Sequence, residues 1–338
     1  MHTLTISGQP SKGNISTFSQ LLLKDNRMEN MSVVKILSLS GLQEVRNYRS
    51  LYFVLTAVTF LLIISVNLTL IITIAVEKSL HEPMYIFLSN LCVNGLYGTF
   101  GFYPKILKDL NSDVHVISYG FCLAQLFIIY TSVLWEISLL TSMAYDRYVA
   151  ICRPLEYHRL MTPLMVIKLL VFAWCFPLVW SVVAIIFTSR LPLCGSHIDK
   201  LYCDNWSVVK LSCVPTTHNN IIGFIIIIMQ IAQALFTLYS YCRIVRICLK
   251  SHEGRVKFMQ TCIPHLLTII NFIFATIFDV MYSRYTSSNM PLSLRNILAV
   301  EFLVIPPLFN PIVYGLSLQQ VRNKLIRICS KNEVAHKT

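Results

Sequence analysis

The sequence predicts an all-α integral membrane protein, a bundle of seven transmembrane helices followed by a short amphipathic C-terminal helix. Of its 338 residues, 55% are hydrophobic and only 13% are charged, and the mean hydropathy is +0.62. A soluble globular chain carries about twice this share of charge. The apolar residues gather in seven long segments, and a bilayer core about 30 Å thick requires roughly 20 apolar residues per helix.

The seven apolar segments are separated by short, more polar connections. Their predicted bounds are 51–76, 84–106, 117–151, 164–187, 220–249, 258–281 and 297–316. They divide the chain into an extracellular tail (1–49), a seven-span domain (50–317) and a cytoplasmic tail (318–338). An odd number of spans, without visible similarity between the two halves, argues against an inverted-repeat transporter.

The distribution of positive charge predicts the orientation, because Lys and Arg in short loops resist translocation. One side of the bilayer carries Arg153, Arg159, Arg243, Arg246, Lys250, Arg255, Lys257, Arg322, Lys324 and Arg327. On the other side, Lys105 and Lys108 are accompanied by Asp109 and Asp113. The first side is therefore cytoplasmic, and we expect a plasma-membrane protein with an extracellular N-terminus. The formal charge of +12 indicates attraction to anionic lipid rather than to nucleic acid.

The predicted extracellular tail contains two sequons. Asn14 and Asn30 are each followed two residues later by Ser, so both are candidate glycosylation sites. Residues 1–49 have no apolar core with a small-residue cleavage site, which leaves span one to direct insertion. The sequence has no zinc-type His and Cys spacing and no nucleophile elbow. We therefore expect no catalysis, no metal and no cofactor.

The cytoplasmic end of span three carries the most informative stretch, residues 143–152 with the sequence MAYDRYVAIC. Taken alone, Asp146 and Arg147 are a possible snorkelling pair at the membrane boundary. All ten residues, however, match a motif of the odorant receptors. Four further segments agree in order and spacing: 80–85 (LHEPMY), Ser240 and Tyr241 with Ile244, Thr261 and Cys262 with His265 and Leu266, and 306–314 (PPLFNPIVY).

The chain thus resembles the odorant (olfactory) receptors of the rhodopsin-like class of G-protein-coupled receptors, most closely the fish-type branch. The resemblance covers nearly the whole membrane domain, and Met28 looks like a start typical of the family. It implies a receptor that binds a small-molecule odorant and activates a heterotrimeric G protein of the olfactory stimulatory type, with cyclic AMP as output. The alternative is a non-olfactory rhodopsin-like receptor for a lipid or a peptide. A transporter is the rival from another class.

The resemblance also implies an activation switch at the cytoplasmic side. Arg147 would change partners between resting and active states, while Tyr241 and Tyr314 would swing inward to support it. Proline frees a backbone carbonyl within a helix, which lets the end of span seven bend. The residues assigned to this switch are Asp146, Arg147, Tyr148, Tyr241, His265, Asn310, Pro311 and Tyr314.

The exterior cysteines predict disulfides. Cys194, Cys203 and Cys213 lie between spans four and five, and Cys122 lies at the outer end of span three. In an oxidising compartment, two disulfides are favoured over a metal site that would include His197. Four cysteines allow three pairings, and the resemblance favours Cys122 with Cys203 and Cys194 with Cys213. On the other side, Cys329 is a candidate for palmitoylation.

Glu136 lies in the middle of span three, where a carboxylate is costly unless it is paired. We expect a polar network of Glu136 with Asn67, Asn94 or Asn310, and a role in the switch rather than in ligand contact. Most relatives carry an acid in span two where this chain has Gly95. This departure puts the sodium-linked polar cluster of the family in doubt.

The ligand is expected in the outer half of the bundle, among spans three, five, six and seven. Amine receptors place an aspartate at the position of Ile129, so its absence argues against an amine ligand. Pockets of this kind are mostly apolar with few polar groups. Asp279 either meets the ligand or pairs with Arg284. The candidate ligand contacts are Ile129, Tyr130, Val133, Leu134, Ile225, Met229, Ile273, Thr276, Asp279, Val280, Val300 and Leu303.

Overall fold

The structure, a computed structural model, describes residues 36–42, 48–250, 252–285, 292–317 and 320–324. Seven long helices lie within these residues, and each coincides with one predicted span. They are α1 (Arg49–Val76), α2 (Pro83–Leu110), α3 (Tyr119–Cys152), α4 (Pro163–Ser189), α5 (Thr217–Cys248), α6 (His252–Tyr285) and α7 (Leu292–Ser317). The predicted seven-helix fold is confirmed. Asn14, Asn30, Met28 and Cys329 lie outside the described residues.

The helices differ in how apolar they are. Within the described residues, α1, α3, α4 and α5 are each long and apolar enough to cross a membrane on their own composition. The apolar stretches of α6 and α7 are shorter, Cys262–Phe278 and Leu303–Gly315, and α2 buries Asn94 and Thr99. Buried polar groups such as Asn94 need hydrogen-bond partners within the protein, because lipid offers none.

Local sequence marks where several helices begin. Pro83 and Pro163 occupy the first turns of α2 and α4, where the missing N–H of proline has no cost. Thr162 caps α4 by accepting a hydrogen bond from the backbone N–H of Met165. Ser118 caps α3 in the same way, as expected of hydroxyl side chains at helix starts.

Helix α3 is the central helix of the bundle and contacts α2, α4, α5 and α6. Its approach to α2 is close because α2 presents glycines there. A Cβ atom on Gly98 would lie 2.4 Å from Oγ of Ser132, and one on Gly101 would lie 2.6 Å from Cγ2 of Ile128. Gly98 and Gly101 of α2 therefore serve helix packing.

The described cytoplasmic residues after α7 are helical from 320 to 324, as expected for the start of the C-terminal helix. The hydroxyl of Tyr85 donates to Oε1 of Gln320 at 3.0 Å. Nζ of Lys324 lies 2.7 Å from Oε2 of Glu77. These two contacts attach the segment to the first turn of α2 and to the loop that precedes it.

A small sheet on the outer face departs from the all-helical expectation. Strand β1 (Ile36–Leu39) is its middle strand, antiparallel to β2 (Val116–Ser118) and parallel to β3 (His197–Ile198). Leu37 and Leu39 are buried against the loops. Strands this short have little stability of their own, so their pairing depends on tertiary contacts rather than on a pattern visible in the sequence.

The substitution Gly101→Ala should lower the stability of the receptor. Overpacking against Ile128 costs about 1–3 kcal/mol, which outweighs the gain of about 1 kcal/mol that alanine brings to a helix. The apparent Tm of the detergent-solubilised chain measures the effect. Gly120→Ala is the matched control, since a Cβ on Gly120 would meet nothing within 4 Å. Equal Tm values for the two variants would contradict the close approach of α2 and α3.

Candidate functional site

The C-terminal end of α3, on the side predicted to be cytoplasmic, holds a charged pair, a buried Asp146 and a partly buried Arg147. The Asp146 side chain is 0% exposed, and one of its oxygens, Oδ2, accepts a hydrogen bond from Nε of Arg147 at 3.0 Å. The other oxygen, Oδ1, accepts from the hydroxyl of Tyr157 at 2.9 Å. A charge-assisted hydrogen bond of this kind is about twice as strong as a neutral one. Both oxygens of Asp146 are thus engaged, one within α3 and one by the following loop.

Tyr157 lies in the one-turn helix Tyr157–Leu160 between α3 and α4. Burial, and then the neighbouring negative charge of Asp146, raise the pKa of Tyr157 above its ordinary value. Its phenol is therefore a stable hydrogen-bond donor at neutral pH. Sequence analysis did not single out this residue, because its role depends on how the loop folds back under α3. Tyr148 and Tyr157 pack against the same cluster of buried hydrophobic residues.

A second set of switch residues links α5, α6 and α7. The hydroxyl of Tyr241 is hydrogen-bonded to Nδ1 of His265. The ring of His265 also lies 6.5 Å from the ring of Tyr314, centroid to centroid. All three side chains are buried. Among the described residues, the hydrogen bonds of Arg147 go to Asp146, so neither tyrosine supports Arg147 in this arrangement.

The mid-bundle network centres on Glu136. Its Oε2 accepts from Nδ2 of Asn94 at 2.8 Å, and its Oε1 accepts from Nδ2 of Asn310 at 2.7 Å. These bonds join α2, α3 and α7 at one depth. A cavity of about 20 Å³ adjoins the carboxylate, with Gly95 and Ser132 in its lining. This volume exceeds the roughly 10–15 Å³ that a single water molecule requires.

Asn67 is not a partner of Glu136. Its Nδ2 donates to the backbone carbonyls of Ile63 and Pro307, at 2.8 and 2.7 Å. Pro311 lacks the N–H that would otherwise bond to the carbonyl four residues earlier, which is that of Pro307. Asn67 supplies the missing donor from α1. Pro311, which permits the bend in α7, and Asn67 of α1 therefore act together at the carbonyl of Pro307.

The outer face carries both disulfides in the pairing that the resemblance favoured. Cys122 is bonded to Cys203 and Cys194 to Cys213, with Cα–Cα distances of 5.5 and 5.2 Å. Oε1 of Gln125 accepts from the backbone N–H of Cys203 at 3.0 Å, which adds a hydrogen bond to the covalent link. The loop is thereby fixed on the outer end of α3.

The candidate ligand contacts do not form one cluster. Ile129, Val300 and Leu303 pack together with Phe102 and Tyr202 near the outer face. A second cluster lies between α3 and α5. It contains Leu134, Tyr130 and Met229, while Val133 packs against both the first cluster and the deeper core. Ile225 is 37% exposed on α5, and the side chains of Asp279 and Val280 lie outside those described.

Two of the candidates, Ile273 and Thr276, line a cavity of about 280 Å³ between α5 and α6. Ile137, Gln230 and Ile231 also line it, and sequence analysis missed all three. Gln230 and Ile231 follow Ile227, another lining residue, at the three- and four-residue spacing of one helix face. That spacing is visible in the sequence. The sequence does not indicate which face of α5 turns toward α6.

The arrangement is that of the rhodopsin fold. The fold superimposes on the crystal structure of squid rhodopsin with a TM-score of 0.65, over 82% of this chain and 85% of that one, at 16% sequence identity. At this identity the likeness concerns the fold alone.

The family follows from the sequence comparisons. Residues 56–332 match the family model described as olfactory receptor. Olfactory receptor 4E2 of Mus musculus is 36% identical over 294 residues, 83% of this chain and 92% of that protein. Olfactory receptor 6N1 of Homo sapiens is 33% identical over 304 residues, 88% of this chain and 96% of that protein.

The chain belongs to the olfactory receptor family. It is therefore a multi-pass membrane protein of a family of receptors rather than enzymes. The resemblance seen in the sequence motifs is confirmed at this level, and the assignment to the fish-type branch stays a prediction.

Replacing Asn310 by alanine should destabilise the bundle. The buried Glu136 carboxylate would lose one of its two amide donors, which costs about 1–3 kcal/mol. Thermal unfolding of the solubilised chain reports this as a lower apparent Tm. Asn323→Ala, at an exposed cytoplasmic position, is the control and should leave the Tm unchanged. A variant at position 310 as stable as the parent chain would show that the network adds nothing to stability.

Proposed function

We propose that this chain is an odorant receptor, which binds a small and mostly apolar molecule within the bundle and activates a heterotrimeric G protein on the cytoplasmic side. The carrying observation is the arrangement around Arg147, a partly buried cation held by the buried carboxylate of Asp146 at the end of the central helix. A fixed structural role would not require such a residue at a boundary where the chain could place an apolar one. Family membership supports the same function.

The two ends of the receptor are too far apart for direct contact. Tyr130, at the level expected for the ligand, precedes Arg147 by 17 residues, or about 26 Å at 1.5 Å per residue. A ligand must therefore act by binding one of two arrangements more tightly than the other. We assign the described arrangement to the resting state, since Asp146 holds Arg147 and His265 holds Tyr241.

The orientation and the output are parts of the same proposal. The N-terminus is extracellular, because the basic residues concentrate on the side where Arg147 lies. The same residues favour contact with anionic lipid of the inner leaflet. The G protein is of the olfactory stimulatory type, and cyclic AMP is the output. The domain limits proposed from the sequence, 50–317 for the bundle with tails on either side, fit this topology.

Other functions predict different measurements. A receptor for a peptide would respond to water-soluble ligands that never enter the bundle. A transporter would accumulate its substrate, and substitution of Arg147 would leave that accumulation largely intact. An odorant receptor loses its response when Arg147 is changed, whatever the odorant.

The substitution Arg147→Ala should abolish the cyclic AMP response to odorants in cells that contain the olfactory G protein. The active arrangement would lack the cation that we place at the G-protein site. Responses are compared across an odorant panel at equal surface level. Arg190→Ala, at an exposed position at the end of α4, is the control and should respond normally. A response that survives Arg147→Ala would refute the mechanism.

The substitution Tyr157→Phe should raise activity in the absence of any odorant. It removes the 2.9 Å hydrogen bond to Asp146 without changing the shape of the side chain. A hydrogen bond to a charged group is worth about 1.5–3 kcal/mol, so the active fraction should rise about tenfold or more. Basal cyclic AMP at matched surface level measures it. Tyr239→Phe, at an exposed position on α5, should have no effect, and equal basal levels in both variants would count against the restraint.

A further inference from the structure

The cavity between α5 and α6 opens sideways, toward the bilayer. Ile231 of α5 and Ile277 of α6 line it, and they are 52% and 57% exposed. Their neighbours Ile228 and Phe274 are also exposed, as expected of residues that face lipid. The mouth of this cavity is thus bordered by the apolar surface that contacts hydrocarbon.

The extracellular side is covered by several layers of the chain. The second outer loop is fixed by Cys203, and Tyr202 beside it is fully buried against Phe102. Strand β1 lies beside the loop in one sheet with β3, and its Leu37 is also fully buried. A molecule in water meets this cover, whereas a molecule dissolved in the bilayer meets the mouth between α5 and α6.

The lining defines the chemistry of an occupant. Apart from Gln230 and Thr276, the side chains that line the cavity are apolar. The hydroxyl of Thr276 is buried and has no hydrogen-bond partner in the described structure. Thr99, Thr141 and Thr268 instead donate to the carbonyl four residues earlier in their own helices. An unpaired buried hydroxyl is costly, so a ligand with one hydrogen-bonding group is favoured there.

The volume of the cavity limits the size of its ligand. At roughly 30 Å³ for each water-sized group, a cavity of about 280 Å³ takes roughly nine non-hydrogen atoms. An aliphatic chain of about eight carbons with one oxygen has this size. Such molecules partition into bilayers, because each CH₂ group gains about 0.8 kcal/mol on leaving water.

The inner wall of the cavity touches the switch. Ile137 and Phe272 line the cavity and belong to the same buried cluster as Tyr241 and Tyr314. An occupant that presses on Ile137 and Phe272 therefore acts on the packing around the Tyr241–His265 link. This position explains how binding between α5 and α6 would bias the cytoplasmic ends of the same helices.

We propose that the cavity between α5 and α6 is the odorant site, that its ligands are medium-chain aliphatic molecules with one hydrogen-bonding group, and that they enter from the bilayer between these helices. The term odorant rests on the proposed function, whereas the site and its route of entry do not. The hydroxyl of Thr276 forms the hydrogen bond to the ligand. Ile231 and Ile277 border the opening through which the ligand enters.

Photolabelling of the full chain in phospholipid nanodiscs tests the site without a G protein. The probe is an octanol that carries a diazirine on its chain, and unlabelled 1-octanol is the competitor. We expect saturable labelling of peptides that contain residues 227–234 or 272–277, suppressed by excess 1-octanol. Uniform labelling of lipid-facing residues without competition would overturn the proposal. So would labelling that excess phospholipid suppresses and 1-octanol does not, since an acyl chain would then be the occupant.

Substitutions at Ile231 and Thr276 test the route of entry and the hydrogen bond to the ligand. Ile231→Trp should abolish the saturable labelling, whereas Ile228→Trp should not, because Ile228 is equally exposed to lipid but does not line the cavity. Thr276→Val keeps the side-chain shape and should weaken competition by 1-octanol about three- to tenfold, the value of one neutral hydrogen bond. Equal saturable labelling in the two tryptophan variants would overturn lateral entry. Unchanged competition by 1-octanol in Thr276→Val would overturn the hydrogen bond between Thr276 and the ligand.

Cyclic AMP measurements on the same variants separate the two proposals. Saturable labelling without any response to aliphatic odorants would leave the site standing and count against the receptor function. Robust odorant responses that survive both Ile231→Trp and Thr276→Val would support the receptor function and place its ligand elsewhere.

Discussion

Polar side chains inside this bundle depend on the protein itself for hydrogen-bond partners, because hydrocarbon supplies none, and several of them find the partner on another helix. Apolar side chains do little to choose among helix arrangements, since lipid tails are as apolar as leucine. The choice depends on contacts such as those of Glu136 with Asn94 and Asn310, which fix α2, α3 and α7 at one relative depth. Asn67 fixes α1 to α7 by satisfying the carbonyl of Pro307.

The polar contacts fall into separate groups within the bundle. The network around Glu136 joins α2, α3 and α7. Among the described residues, α5 is bonded to α3 where Ser138 donates to Gln233, and to α6 where Tyr241 pairs with His265. The large cavity lies between α5 and α6.

Much of the fold was predictable because a bilayer imposes a simple rule on sequence. Long apolar segments gave all seven helices, and the motif around Arg147 gave the class. Tyr157 was missed, since its partner Asp146 becomes its neighbour only when the loop folds back. That Asn67 pairs with Pro307 was not predictable, because a carbonyl freed by Pro311 leaves no mark of its own in the sequence. The cavity residue Gln230 lies on a face of α5 that periodicity marks no differently from the others.

The small outer sheet bears on the order in which the chain is assembled. Ser38 in β1 is hydrogen-bonded to the carbonyl of Ser196, 158 residues further along the chain. In the proposed orientation β1 lies outside the cell, and because membrane helices are made from the N-terminus onward, it reaches the exterior long before β3 exists. The sheet closes only after four helices are inserted and the loop beyond them has crossed the membrane. Until then Leu37 and Leu39 lack the packing that buries them, and a half-made receptor displays an apolar strand that a finished one conceals.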